Sequence, residues 1–258
     1  MTAEQFVNFL RTEEILRIIS RFEDLFAGKE VLEIGSGSGA QLLVLQQRCA
    51  RAVGIEVALR ANALADMSLY DGAHIPFPDG SFDLVFSSHV IEHIRHEAAI
   101  HAEMRRVLRP EGFCVHVVPS ASWRIISSAL HYPGLGQVVF AKLSRKRGGG
   151  GSRNCDSIPS VPSLHRWRLR LANAFLPHRH GEFGNWLTEP FLFRKNAWQR
   201  RFEVQGWKVV CAETFGVVRS GHQLLRDRLG FNTRRKLTRL VGSQSFLFVL
   251  KPHSDTFS

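Results

Sequence analysis

Residues 31–43 read VLEIGSGSGAQLL, and no other stretch restricts the fold of this chain as much. An apolar run meets glycine at every second position, and leucines at helical spacing follow. Glycine adopts left-handed backbone conformations at little steric cost, so the chain can turn sharply here and pass close to a ligand. The amides opening the following helix point at that ligand. A strand that feeds a helix in this way must pair with a parallel neighbour through a right-handed crossover, which selects the α/β class. Gly35, Ser36, Gly37, Ser38 and Gly39 are the first candidate binding residues. Through Ala40 the stretch also satisfies G-x-G-x-x-A, so a dinucleotide must be weighed as the ligand.

The flanking chain supports this class. Apolar residues at Phe6, Leu10, Ile15, Ile18, Ile19, Phe22, Leu25 and Phe26 predict a helix over 3–26, stopped by Gly28. Strand-like runs at Val31–Ile34, Ala52–Ile55, Leu84–Ser87 and Phe113–Val118 alternate with helical ones at Ala40–Cys49, from Val57, and at Glu97–Leu108. The pattern breaks after Pro119. Residues 120–189 are rich in Arg, His, Pro and Gly, and four consecutive glycines predict a mobile loop over 144–156. A helix over Leu192–Phe202, a strand over Trp207–Ala212, a basic helical insert over 219–240 and a strand over Ser245–Leu250 complete the reading. The expected organisation is one domain over 1–258. It comprises a cap helix (1–28), a ligand-binding half (29–119), a basic insert (120–189) and a closing segment (190–258).

Which ligand the turn serves depends on charge. An anion at Glu33 would repel a pyrophosphate seated on these glycines by several kcal/mol at short range. The same carboxylate is favourable beside a cation. Glu56, at the end of the next strand, suits ribose hydroxyls in either case.

Residues 71–93, DGAHIPFPDGSFDLVFSSHVIEH, decide between them. Together with Glu33–Gly39, Glu56 and RRVLRPEG at 105–112, this block resembles class I S-adenosylmethionine-dependent methyltransferases, in the small-molecule branch that includes quinone-biosynthesis enzymes. The resemblance covers about residues 29–118. It departs from the family pattern at Gly72, usually Ala, and at Glu111, usually Gly. It implies a seven-stranded, mostly parallel, doubly wound Rossmann-like sheet whose last strand is antiparallel. It implies S-adenosylmethionine as cofactor, a positively charged carrier without phosphate. By the same resemblance Asp71 accepts from the adenine amino group and the Gly72 amide meets a ring nitrogen. Ile75 and Phe77 either line the adenine slot or pack in the core. Ser87 ends the fourth strand near the ligand.

Methyl transfer asks mainly for alignment, and an oxygen acceptor that is not already ionised also needs a base. His89 lies nearest the expected methyl site and is the candidate base; His93 is assigned a structural role. His89 and His93 lack a third ligand in the sequence, so no metal is expected. His165, His180 and Glu182 lie in the insert and could reach the pocket.

Residues 1–119 hold 11 basic and 16 acidic groups; residues 120–258 hold 23 and 7, a balance of +16. This basic half points to an anionic, glycan or lipid-linked small-molecule acceptor held by Arg side chains. The spacing in RRKLTRL (234–240) suits peripheral contact with an anionic membrane. Trp123, Trp167 and Trp186 could bind an acceptor or pack under the insert. Nucleic acid ranks last, since SSHV replaces the N-P-P-Y or D-P-P-Y motif of base-amino methylases after the fourth strand. The rival readings are a dehydrogenase and a catalytically silent cofactor-binding protein. No run of 18 apolar residues occurs, and the four cysteines have no paired spacing, so a cytoplasmic location is expected.

Overall fold

In the computed structural model, residues 3–130, 179–216 and 230–253 are described. The predicted loop at 144–156, His165, Trp167 and the first part of the 219–240 insert lie outside them. Seven strands form one sheet: β1 (Glu30–Ile34), β2 (Arg51–Glu56), β3 (Ser68–Leu69), β4 (Phe82–Ser88), β5 (Leu108–Pro119), β6 (Trp207–Phe215) and β7 (Ser245–Pro252). Their order is β3-β2-β1-β4-β5-β7-β6. Pairing is parallel except that β7 runs antiparallel to both β5 and β6. The sequence expectation of a mostly parallel sheet with an antiparallel last strand holds.

Strand alternation loads both faces. Val31, Leu84, Phe86, Val115 and Val117 pack with Ile15, Ile18 and Ile19 of α1 (Ala3–Arg21) and Leu42 and Leu45 of α3 (Ala40–Arg48). On the other face Leu32, Ile34, Val85 and Cys114 meet Ile100 and Met104 of α4 (Glu97–Val107) and Trp198 and Phe202 of α7 (Lys195–Val204). Each of those large buried side chains contributes roughly 1.5–3 kcal/mol. The Trp198 indole N–H also donates to the Pro119 carbonyl at 3.0 Å, tying α7 to the end of β5.

Three predicted helices end differently. The helix expected over 3–26 divides at Phe22, and the short α2 (Glu23–Phe26) turns Phe26 onto Phe86. No helix starts at Val57. The amide of Val57 binds Glu56 Oε1 and that of Leu64 binds the Ser38 carbonyl, so the segment turns back over the glycine loop and enters β3. The helix expected over Leu192–Phe202 is two, α6 (Glu189–Leu192) and α7, because Phe193 turns inward to stack on Trp198. Among the described residues the basic insert is represented by α8 (Phe231–Val241), and α5 (Ala121–Ala129) follows β5. Among the described residues no helix is long and apolar enough to cross a membrane.

Candidate active site

The turn between β1 and α3 has Gly35, Gly37 and Gly39 at φ of 72°, 59° and 81°, a left-handed run that side chains would strain. A Cβ at Gly35 would stand 2.4 Å from Val90 Cγ2, and one at Gly39 would stand 2.9 Å from the Ala65 nitrogen. Ser36 and Ser38 are buried and brace this turn. The Ser36 hydroxyl donates to the Glu33 carbonyl at 3.3 Å, and Ser38 bonds Asn8 of α1 at 2.8 Å. Both therefore shape the ligand-binding loop from beneath.

A cavity of about 360 Å³ opens over the turn, lined by Gly35, Gly37, Glu56, Tyr70, Gly72, His89 and Val90 among others. Glu56 Oε2 accepts from the Gly37 amide at 2.7 Å and Oε1 from Val57 at 2.9 Å. The anion on the glycine amides is thus the protein's own carboxylate, and a diphosphate would be forced against it. Two arginines at the rim are paired: Arg60 with Glu4 at 3.7 Å and Arg95 with Glu182 at 2.8 Å.

Glu33 does not line this cavity. Strand alternation turns it toward the α1 side, where it is 1% exposed and its Oε2 has no hydrogen-bond partner. Burial pushes its carboxyl up to about 7, against the opposing pull of Ser36 and Arg11. Asp71 also departs from expectation. Its Oδ1 accepts from the Ala73 and His74 amides, both at 2.7 Å, and its Oδ2 meets the His74 ring at 2.8 Å. These bonds hold its carboxyl well below the usual range, and its neighbours Tyr70 and Gly72, rather than Asp71, line the cavity. Ile75 is core, and Phe77 packs against it. Ser87 is likewise removed from the cavity. The strand directs it to the α4 face, where its hydroxyl meets His116 Nδ1 at 2.8 Å.

A second cavity of about 290 Å³ adjoins the first and shares Arg11, His89 and His93 with it; Val7, Leu10, Trp123 and His180 complete its wall. His89 has a φ of 56°, the one left-handed non-glycine among the described residues, with its amide on the Val117 carbonyl at 2.8 Å. Such strain persists where the surroundings impose it, commonly at functional sites. Its Nδ1 lies 3.6 Å from Glu92 Oε1 and its Nε2 3.3 Å from the Ser245 hydroxyl. His180, from the insert, packs against Trp123 with ring centres 4.3 Å apart and planes tilted by 59°. Glu182 does not reach the cavity wall but pairs with Arg95. Arg11 escaped the sequence reading, although it shares the Val7 and Leu10 face of α1 at i, i+3, i+4 spacing. A third cavity, about 460 Å³, is lined by Glu92, Phe183, Leu192, Phe193 and Ala197 among others and touches none of the glycine-turn residues.

The strand order, the glycine turn and the acid on its amide define the class I methyltransferase fold. Residues 32–116 match the family described as a methyltransferase domain. A ubiquinone/menaquinone biosynthesis C-methyltransferase of Cupriavidus pinatubonensis is 36% identical over 101 residues, 37% of this chain and 42% of that protein. An uncharacterized methyltransferase of Mycobacterium avium is 28% identical over 188 residues, 66% of this chain and 73% of the relative. A crystallised S-adenosylmethionine-dependent methyltransferase of Aquifex aeolicus shares the fold, with a TM-score of 0.52 and 12% identity over 97% of this chain and 98% of that one. The match to the first relative spans less than half of that protein. Residues 32–116 are thus similar to a methyltransferase domain, and relatives and structural neighbours of the chain are named as S-adenosylmethionine-dependent methyltransferases. The site fits S-adenosylmethionine: a glycine cradle closed to side chains, with Glu56 at its edge.

Proposed function

We propose that the protein transfers a methyl group from S-adenosylmethionine to a small-molecule acceptor, at an oxygen of an anionic, glycan or lipid-linked metabolite. The observation that carries this reading is the pair of adjoining cavities with a shared wall of Arg11, His89 and His93. The bound cofactor supplies a methyl group on a sulfonium, already a good leaving group. The protein's part is alignment. Glu56 and the glycine turn hold the cofactor side, with Glu33 beneath them and the Gly72 amide at the adenine end. Arg11 faces an anionic acceptor, Trp123 and His180 bracket it, and His89 stands where an acceptor hydroxyl would give up its proton. A relative named for quinone biosynthesis supports a small-molecule acceptor.

The basic half supports this reading in part only. Arg124 pairs with Glu189, Arg201 with Glu97, and Arg234 lies over the Phe6 ring, so these charges serve the interior. Arg235, Lys236, Arg239 and Leu240 of α8 are exposed, and we assign them a peripheral contact with anionic membrane.

Methyl-labelled cofactor incubated with a lysate divided into lipid, polysaccharide, RNA and small-molecule fractions tests the proposal. Label in the small-molecule, polysaccharide or lipid fraction agrees with it. Label in RNA alone, or in none, contradicts it. In the same assay His89→Ala should lower kcat and leave the cofactor KM nearly unchanged.

A further inference from the structure

The sequence offers His89 and His93 with no third ligand; the fold delivers one from 87 residues further on. Glu92 sits on the 3₁₀ turn after β4 (Ile91–His93) with its side chain fully buried. Neither of its carboxylate oxygens has a hydrogen-bond partner. His180 Nε2 lies 3.6 Å and His93 Nε2 3.9 Å from the same oxygen, Oε1. One donor atom from each of the three residues falls within 4.8 Å of the others. A charge-assisted hydrogen bond between imidazolium and carboxylate would close to about 2.7–2.9 Å. Ligands of a tetrahedral zinc ion with bonds near 2.0–2.1 Å stand about 3.4 Å apart. The two distances to Glu92 are too long for the first and close to the second.

The arrangement is also built rather than incidental. The Glu182 amide donates to the Glu92 carbonyl at 2.8 Å, and the His180 and Gly181 amides donate to Glu189 Oε1 at 2.7 and 3.0 Å. The insert is therefore pinned against the turn by its backbone, and Trp123 orients the His180 ring. His93 and His180 both line the second cavity, so an ion between them would face the acceptor.

We propose that Glu92, His93 and His180 bind a borderline divalent cation such as zinc, with one coordination position open to the second cavity for an acceptor oxygen. Two imidazoles and one carboxylate suit that class of ion, whereas calcium or magnesium would demand more oxygen ligands. The site goes beyond the methyl-transfer reading and does not depend on it.

Cobalt(II) titrated into chelator-treated full-length protein tests this, read by its visible ligand-field bands. Saturation at one ion per chain and displacement by zinc are expected. His180→Ala should weaken binding by at least about 100-fold, the upper range for merely supporting residues around a metal. His253→Ala, on the exposed end of β7, should leave it unchanged. Zinc-edge X-ray absorption on the wild-type protein should show two imidazoles, a readout that survives even if the His180 variant does not fold. The site is refuted if the wild type takes up no stoichiometric cobalt. Uptake that persists in both His180→Ala and His93→Ala, or zinc without imidazole scattering, also refutes it. Cofactor affinity measured alongside separates the two claims: cofactor binding without an ion rejects only the metal site, and an ion without cofactor binding rejects only the methyl-transfer reading.

Discussion

Glu33 and Glu189 are both carboxylates removed from solvent, and their surroundings are opposite. Glu189, at the start of α6, is neutralised from within: Oε1 accepts two backbone amides and Oε2 forms an ion pair with the Arg124 guanidinium at 2.5 Å. Glu33, at the end of β1, has an oxygen with no partner and a carboxyl pushed up to about 7. A buried charge whose bonding capacity is filled from within holds structure together. One left incomplete is a cost that persists where a ligand can meet it. The insert junction is therefore structural ground beneath the acceptor cavity, and the incomplete acid lies under the glycine turn, on the α1 side of the sheet.

The comparison breaks most visibly at Glu189. Glu189→Ala leaves Arg124 buried without its counterion and should cost about 3–5 kcal/mol in urea unfolding. A loss below about 1 kcal/mol would show that the junction is not held by this pair.

Glu33→Gln should act in the opposite sense on stability. The ordinary carboxyl value is 4.5 and the folded value about 7, so the folded state binds more protons across that window. Wild-type stability from this group therefore falls as pH rises from about 4.5 to 7 and stays reduced above it, by a total on the order of 3 kcal/mol. At about pH 8 the glutamine variant should be more stable by an amount of that order. His101 and His116 impose the reverse slope. Burial pushes both down to about 3, so their contribution is present above the ordinary value of 6.5 and is lost as pH falls toward 3. Removing Glu33 should uncover this acid-side decline as a steeper fall in Tm below about pH 6.

Smaller effects distinguish the two outer acids. Glu56→Ala should weaken cofactor binding about 10- to 100-fold in calorimetry, as expected for lost hydrogen bonds to a charged group. Asp71→Ala should weaken it only a few-fold, because its oxygens already hold the Ala73 and His74 amides and the His74 ring. Equal losses at both positions would return Asp71 to the direct adenine contact that the family resemblance implies.

The parts legible in the sequence follow from local rules. Glycines at 35, 37 and 39 must permit left-handed backbone, and Glu56 at a strand end reaches the turn whatever surrounds it. The two-residue β3 carries no periodic signal, and the helix expected from Val57 gives way to backbone bonds with Glu56 and Ser38. Ser87 faces His116 rather than the cavity, because the direction of a side chain at a strand end depends on the register of the whole strand. His180 could be named but not located, since its position depends on Glu189, Arg124 and Trp123 meeting across the insert.

The central claim is that the glycine-turn cavity accepts a positively charged methyl carrier and not a phosphorylated dinucleotide. Calorimetric titration of S-adenosylmethionine and of NAD, each into the same protein, tests it most directly. The account predicts binding of S-adenosylmethionine and no uptake of NAD. Binding of NAD, with S-adenosylmethionine failing to bind, would contradict it.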